Sequence, residues 1–270
     1  MKKFKGVIIG LFLAALCQPL MVFGEIGWKA SGRRGAVAAG GAEAVEAGME
    51  ILKKGGNAVD AAAATLLALT VCDGQSFCFG GEVPILIYDA KRKAVIVIAG
   101  QGAAPQMATL DYFKKRGYGT IPGSGVVPAT VPAALDAIVT ALDRCGTLTF
   151  SAIAAPTLKI LSKRDKQWHK DFAKTLRRLI EAEGKAGGDR RRGLRLVSDY
   201  FYRGPIAREI AEWSKANGGL LRFTDMARHV TRVEEPVKIN YRGYEVYKCG
   251  PWTQGPYLLE TLRLLEPFDL

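Results

Sequence analysis

The sequence has 270 residues, of which 49% are hydrophobic, so it can bury one large core or two small ones. Its 31 glycines recur with no fixed period, which excludes a repeat protein and a low-complexity chain. The formal net charge of +12 indicates either an anion-binding surface or a solvated basic face.

The N-terminus has the pattern of an export signal. Lysines precede an apolar run, residues 7–16, that is short for a membrane span, and Gly24 is a plausible cleavage point. A lipoprotein at Cys17 and an uncleaved anchor are alternatives, although the bulky Leu16 disfavours lipidation. We predict a cleaved signal peptide over residues 1–24, an exported (periplasmic or extracellular) protein and no integral membrane span after cleavage.

Small residues dominate the first predicted elements. Residues 36–39 are expected to form a short buried strand, and the helix that follows would carry Val45, Met49 and Leu52 on one face, with Gly48 between them. The pair Gly55-Gly56 then ends this helix.

A second helix begins at Asn57, which pairs with Asp60 three residues later as in a capping box. Residues 58–69 are nearly all small or apolar, so we expect a buried helix packed tightly against a sheet.

Two apolar runs, residues 85–88 and 95–98, predict a β-hairpin around a polar turn. Because both runs are continuously apolar, both faces of the sheet are expected to be covered, which favours layered α/β packing. The second run ends in the Gly-Gln-Gly turn of "IAGQGAAPQMAT", where two glycines would aim the side chain of Gln101.

The rest of the chain alternates between helices and one further hairpin. Leu135, Ile138 and Leu142 face inwards from one capped helix, and Pro205 begins another. Residues 236–251 predict two strands around a Tyr-Arg-Gly turn, and an amphipathic helix follows.

The basic excess is concentrated in residues 159–195, which hold thirteen Lys or Arg against five Asp or Glu. Phe172, Leu176, Leu179 and Ile180 recur at helical spacing, so a solvated amphipathic helix lying on a core is favoured over an anion-binding surface. We expect no nucleic-acid partner, since few aromatic residues interleave with the charges. The glycine-rich stretch 184–193 is the best candidate for a mobile loop.

Cysteines and histidines offer no metal or catalytic pattern. Cys72 and Cys78 could close a small disulfide loop, but buried free thiols are an equal alternative. The only histidines, His169 and His229, are expected at the surface, and neither belongs to a nucleophile or zinc motif. We therefore predict no metal site and no cofactor.

The motifs "EAGMEILKKGGNAVDAAAAT", "FGGE", "AAPQMAT", "VPATVPAALDA", "FYRGPIAREI" and "NGGLLRFTDMARH" occur in this order. Together they resemble the gamma-glutamyltranspeptidase family, also called glutathione hydrolases, over about residues 33–270. The resemblance implies an α/β (α+β layered) fold, namely a partial αββα sandwich of the N-terminal nucleophile hydrolase type. On this reading residues 25–270 are an incomplete large-subunit region.

The resemblance also implies a mechanism. Family members are precursors that cut themselves into two subunits, and the new N-terminal threonine attacks a γ-glutamyl amide with its own α-amine as base. We find no Thr-Thr-His or similar cleavage motif here, and Thr147 and Thr149 are expected at the start of a helix. The catalytic residue and the small-subunit region are thus expected outside these residues, and the partial sheet would expose an edge and an apolar face.

Two positions depart from the family pattern, and both are candidate substrate-binding residues. Gln101 stands where typical members carry an arginine that holds the substrate α-carboxylate, and Glu82 stands where many carry a glycine. Losing the guanidinium would weaken carboxylate binding by about 1.5–3 kcal/mol. Both changes point to the transpeptidase-like acylases, unless Gln101 is only a turn residue and Glu82 only a surface carboxylate. The alternative function is an inactive exported remnant with a basic anion-binding surface.

Overall fold

The computed structural model describes residues 31–270, so the predicted signal peptide, residues 1–24, lies outside the described residues. The described residues form both helices and strands, and the prediction of a mixed α/β fold is confirmed. The helices are α1 (Ala42–Lys53), α2 (Ala58–Cys72), α3 (Leu110–Lys115), α4 (Ala134–Cys145), α5 (Phe150–Leu161), α6 (Gln167–Gly184), α7 (Arg190–Tyr202), α8 (Pro205–Ala216), α9 (Phe223–Ala227) and α10 (Gly255–Leu265). The strands are β1 (Val83–Asp89), β2 (Ala94–Gly100), β3 (Arg232–Glu234), β4 (Val237–Tyr241) and β5 (Tyr244–Lys248).

The described strands form two antiparallel sheets. The first has the order β1-β2-β3, with Val83 opposite Gly100 and Ile98 opposite Val233. The second is the β4–β5 hairpin, where Arg242 and Gly243 form the predicted turn with φ values of 49° and 88°. Both predicted hairpins are therefore confirmed.

The start of α2 confirms the predicted capping box. The Asn57 side chain accepts hydrogen bonds from the amides of Val59 and Asp60, at 2.9 and 3.0 Å, and the Asp60 carboxylate accepts one from the Asn57 amide at 2.9 Å. These bonds use backbone donors that a helix start otherwise leaves unpaired.

The most buried face of α1 is not the one formed by its larger apolar residues. Val45, Met49 and Leu52 are only half-buried, and the buried positions are Ala44, Ala47, Gly48 and Ile51. The reason is close helix contact, since a Cβ added at Gly48 would lie 2.2 Å from the Thr65 hydroxyl of α2. Small residues on this face allow the two helices to approach.

The expectation that α2 packs mainly against a sheet is also wrong. The helix is surrounded by α1, α4 and α5, and only a part of its surface, including Val59 and Leu66, faces the β1–β2 hairpin. The large core of the protein is therefore a helical one.

The two faces of β1 differ, which corrects the prediction that both faces of the sheet are covered. Ile87 is buried against α4, whereas Leu86 and Tyr88 are 40% and 64% exposed. In the described part of the chain β1 is also an edge strand. An exposed edge and an exposed apolar face are what a partial sandwich was expected to show.

Residues 36–39 form no strand, contrary to prediction. Alanine has a low preference for strands, and none of β1, β2 and β3 pairs with this segment.

The basic segment forms two amphipathic helices. Leu176 and Leu179 of α6 are fully buried, as predicted. Helix α7 begins already at Arg190, with Asp189 as its N-cap, so the loop between the helices is shorter than the predicted stretch 184–193. No helix within residues 31–270 is long and apolar enough to cross a membrane.

Two buried carboxylates hold α5 in place. Glu183 accepts hydrogen bonds from the amides of Phe150 and Ser151 at 2.6 and 2.7 Å. Asp60 accepts bonds from the amide and hydroxyl of Thr147 and from the Leu148 amide. Thr149 caps α5, which confirms that these threonines lie at a helix start.

The four cysteines of the described chain are free thiols, so Cys72 and Cys78 form no disulfide loop, but neither is buried as the other alternative expected. Cys78 is exposed, and the Cys72 thiol donates to the Glu43 carboxylate at 3.5 Å. Burial, together with Glu43, raises the pKa of Cys72 to about 11, so this thiol is protonated at neutral pH.

Candidate functional site

The structure brings Glu82 and Gln101 to the same end of the first hairpin. Glu82 directly precedes β1 and Gln101 directly follows β2, so they flank the last strand pair, Val83 and Gly100. Both side chains are exposed. They are 19 positions apart in the sequence, and the antiparallel register makes them neighbours.

Close backbone contacts explain the glycines beside Gln101. A Cβ at Gly100 would lie 2.1 Å from the Val83 carbonyl oxygen, and a Cβ at Gly102 would lie 1.7 Å from the Val131 carbonyl oxygen. Neither position has room for a side chain. The turn is therefore pressed against its neighbours on both sides of Gln101, which fixes where that side chain leaves the backbone.

The start of α4 anchors the segment before Glu82. The Gly81 carbonyl oxygen accepts hydrogen bonds from the amides of Ala133 and Ala134, each at 3.0 Å. The Val131 amide donates to the Ala103 carbonyl oxygen at 3.0 Å. Both strand ends are thus tied to the same few residues before α4.

A third anchor comes from α9. The buried Asp225 carboxylate accepts a hydrogen bond from the Gln106 amide at 3.0 Å through Oδ1 and one from the Arg222 amide at 2.8 Å through Oδ2. One side chain therefore caps a short helix and also holds the loop after Gln101. Sequence reasoning did not find this role, because 119 residues separate the two partners.

The candidate site combines a neutral hydrogen-bonding amide with a carboxylate. Gln101 can donate to a carboxylate or a carbonyl oxygen, but it brings no positive charge. Glu82 adds a negative charge beside it and disfavours a second anion. This pair suits a polar or amine-bearing group better than a free carboxylate.

A second polar cluster was missed by sequence reasoning. Asp136 of α4 accepts a hydrogen bond from the Ser198 hydroxyl at 2.7 Å and one from the Thr231 amide at 2.8 Å. The ring of His229 lies beside them, with Nε2 3.9 Å from Asp136 Oδ2. A carboxylate among the inward-facing apolar residues of α4 was the available sequence signal.

The prediction that both histidines lie at the surface is wrong. His169 is 6% exposed and packs against Trp168, and His229 is 8% exposed and stacks on Tyr202 with ring centres 4.9 Å apart. Burial lowers the pKa of each, so both rings are neutral at neutral pH. Residues 31–270 contain no cluster of three or more His, Cys, Asp or Glu that could hold a metal ion.

Comparison with known proteins decides the family. The family profile described as Gamma-glutamyltranspeptidase matches residues 44–164 and 159–270. The chain belongs to the gamma-glutamyltranspeptidase family.

Relatives within the gamma-glutamyltranspeptidase family include both hydrolases and acylases. The chain is 28% identical to the glutathione hydrolase proenzyme of Bacillus subtilis (strain 168), over 88% of this chain and 46% of that protein. It is 30% identical to the acylase ACY 1 proenzyme of Pseudomonas sp. (strain SE83), over 89% of this chain and 49% of that protein. The chain thus spans about half the length of the curated relatives that it matches.

A solved structure supports the same assignment. The gamma-glutamyltranspeptidase of Helicobacter pylori superposes with a TM-score of 0.76 at 25% identity, covering 90% of this chain and 77% of the solved one. The predicted fold class, a partial αββα sandwich of the N-terminal nucleophile hydrolase type, is confirmed by this likeness.

Proposed function

We propose that this chain is the large-subunit region, residues 25–270, of a gamma-glutamyltransferase-like hydrolase or acyltransferase. Its substrates would be γ-glutamyl, glutathione-like or related amides. The partner would be a small-subunit region of the same precursor, which supplies a threonine nucleophile from outside these 270 residues. Two observations support this proposal. Glu82 and Gln101 lie side by side at the end of the β1–β2 hairpin away from its turn, and the chain belongs to the family.

The proposed reaction proceeds in two steps. The threonine hydroxyl attacks the amide carbonyl carbon while its α-amine takes the hydroxyl proton, and that proton then goes to the leaving amine as the C–N bond breaks. Water or an acceptor amine next attacks the acyl-enzyme ester and releases the threonine. These steps require no histidine of this chain, in agreement with the burial of both rings in the described structure. Gln101 and Glu82 would bind and orient the acyl part of the substrate.

The identity of the two side chains bears on the substrate. A neutral amide at position 101 and a carboxylate at position 82 would bind a free α-carboxylate weakly. We therefore infer that the preferred substrate carries a less acidic group at this end than glutathione does. The likeness to a protein named as an acylase supports this reading.

We also propose that residues 1–24 are a signal peptide and that the protein works outside the cytoplasm, in the periplasm or beyond the cell. The charged start and the short apolar run support export. The proposed enzyme needs no nucleic-acid partner and no cofactor, since the threonine supplies both nucleophile and base.

The alternative function is an inactive exported remnant that binds an anionic surface. It is supported by the exposed side chains of Lys166, at the N-cap of α6, and of Lys170 and Lys174, which follow at i, i+4 spacing. Like charges at this spacing repel each other by about 0.2–0.5 kcal/mol per pair, and an anionic surface would relieve that repulsion.

The deciding experiment expresses the entire reading frame that contains these residues. The proposal expects intact-mass analysis to show cleavage into two subunits, the smaller beginning with threonine, and expects turnover of a γ-glutamyl anilide. A reading frame that stops at Leu270, or a product that is not cleaved and turns over no amide, would favour the alternative function, the inactive remnant. Binding of the same product to anionic vesicles would then test that alternative.

A further inference from the structure

A cavity of about 370 Å³ lies between α4, α7 and the segment before β3. We call it the α4–α7 cavity. Its walls are formed by Asp136 and Asp143 of α4, Ser198 of α7, and His229 and Thr231 of the returning segment. The arginines Arg144, Arg195 and Arg203 lie around it. None of these residues takes part in the proposed amide chemistry.

Three side-chain atoms of residues lining this cavity are buried without a hydrogen-bond partner among residues 31–270. One is Oδ1 of Asp143, which has the Arg191 guanidinium 3.7 Å away. The other two are Nε2 of His229, in a residue 8% exposed, and Oγ1 of Thr231, in a residue 6% exposed. Leaving such a group unpaired costs about 1–3 kcal/mol. Two adjacent unpaired groups facing one cavity therefore indicate a missing partner.

Both groups present hydrogen-bond donors. The Asp136 carboxylate lies 3.9 Å from His229 Nε2, so a proton on this nitrogen is favoured over a lone pair. Thr231 has a hydroxyl proton to offer. The oxygens of Asp136 are already engaged by Ser198 and by the Thr231 amide. One acceptor can thus serve as the missing partner of both groups.

The geometry of the two donors is fixed in advance. The His229 ring stacks on Tyr202, whose hydroxyl donates to the Pro132 carbonyl oxygen at 2.8 Å. The His229 carbonyl oxygen accepts a bond from Arg203 at 3.2 Å. The Thr231 amide is held by Asp136. A ligand would meet donors that need little ordering.

Charge at the mouth favours an anion. Arg203 is paired with Asp199 at 3.1 Å, and Asp143 has Arg191 at 3.7 Å. Arg144 and Arg195 are exposed and form no ion pair within the described residues. The two unpaired guanidinium groups outweigh the single charge of the Asp136 carboxylate in the same cavity. Together with the two buried donors they match an oxyanion, which offers both charge and acceptor atoms.

We propose that the α4–α7 cavity binds a small oxyanion, either free phosphate or the carboxylate of a small organic acid. Thr231 and His229 donate hydrogen bonds to it from the floor, and Arg144 and Arg195 supply charge at the mouth. The inference does not depend on the amide chemistry, because its test measures binding through the signal of a residue that lines the cavity.

Histidine-selective isotope labelling provides the test, because the 270 residues contain two histidines. NMR spectra of the chain are recorded while inorganic phosphate, or separately succinate, is added at fixed pH and ionic strength. The His229 signal is assigned by its loss in His229→Gln, and His169 is the internal control. The proposal expects a saturable shift of the His229 signal alone with at least one probe, and the probe that acts identifies the source. No shift of His229, or equal shifts of both histidines, would overturn it.

Two matched pairs of variants sharpen the result. Thr231→Val should weaken binding about three- to tenfold without lowering the free energy of unfolding, because the hydroxyl it removes has no partner. Thr157→Val removes another buried, unpartnered hydroxyl outside the cavity and should leave binding unchanged. Arg195→Gln should weaken binding about threefold, whereas Arg177→Gln on α6 should not. Unchanged affinity in Thr231→Val contradicts the proposal.

Discussion

Asp60 and Asp136 are both buried carboxylates on core helices, and their surroundings differ. The Asp60 carboxylate accepts hydrogen bonds from the Asn57 amide, the Thr147 amide and hydroxyl, and the Leu148 amide. The Asp136 carboxylate accepts hydrogen bonds from one hydroxyl and one amide. No buried polar side-chain atom without a partner lies in the first network, whereas His229 Nε2 and Thr231 Oγ1 lie beside the second.

The difference separates a structural network from one that can bind. The Asp60 network joins the starts of α2 and α5, and every donor it contains is used within the chain. The Asp136 network joins α4, α7 and the segment before β3, and donors without a partner lie next to it beside a cavity. A buried polar network whose hydrogen-bonding groups all have partners rigidifies a core. A network with unpartnered groups marks a place where a ligand can bind.

The largest expected effect is the loss of the Asp60 network. Asp60→Ala leaves several buried donors without an acceptor and should lower the free energy of unfolding by about 3 kcal/mol. Denaturant unfolding measures this value, with Asp111→Ala at an exposed position as the control, expected to change it by less than about 0.5 kcal/mol. Equal effects of the two variants would show that the network is not structural.

Asp136→Ala should have a smaller effect, about 2 kcal/mol, because fewer donors lose their acceptor. The same unfolding experiment compares it with Asp60→Ala. If Asp136→Ala lowered the free energy of unfolding more than Asp60→Ala, the contrast between the fully hydrogen-bonded Asp60 network and the Asp136 network would be wrong.

Acid should weaken the Asp60 network. Burial alone would raise the pKa of Asp60, but hydrogen bonds from Thr147, Asn57 and Leu148 outweigh it and hold the pKa below its usual value. A lowered folded-state pKa contributes stability above the unfolded value of about 3.9, and this contribution is lost as the pH falls through the folded value. The difference in unfolding free energy between the wild type and Asp60→Asn should therefore be constant near neutrality and shrink below about pH 4. A difference that grows on acidification contradicts the assignment.

The smallest expected effect is at Ser198. Ser198→Ala removes one hydrogen bond to Asp136 and leaves Oδ1 facing the cavity, where water can reach it, so we expect a loss of about 1 kcal/mol. Ser214→Ala is the matched control, because that buried hydroxyl has no partner and its removal should cost less. Thermal or denaturant unfolding distinguishes the two, and a greater cost at Ser214 would count against the network.

Local features of this fold were readable from the sequence, and long-range ones were not. The cap of α2 was predicted because Asn57 and Asp60 lie three residues apart, so one helical turn brings them together. The partners of Asp136 could not be predicted, because Ser198 and Thr231 follow 62 and 95 residues later. The burial of His229 escaped prediction for the same reason, since it depends on Tyr202.

The sheet and the candidate site show the same limit. The apolar runs gave the strands of the first hairpin, but their continuity wrongly suggested that Leu86 and Tyr88 were covered. Gln101 and Glu82 were recognised one by one against the family pattern. Their placement on either side of one strand pair required the register of β1 and β2.

The most direct test of the proposed function measures the KM for a γ-glutamyl anilide in the full-length processed protein and in its Gln101→Arg variant. Restoring a guanidinium should improve binding of the α-carboxylate and lower KM about tenfold or more. Gln106→Arg places the same charge five residues further along the same loop, at another exposed position, and is expected to leave KM nearly unchanged. An unchanged KM in Gln101→Arg, or an equal decrease in Gln106→Arg, would contradict the account.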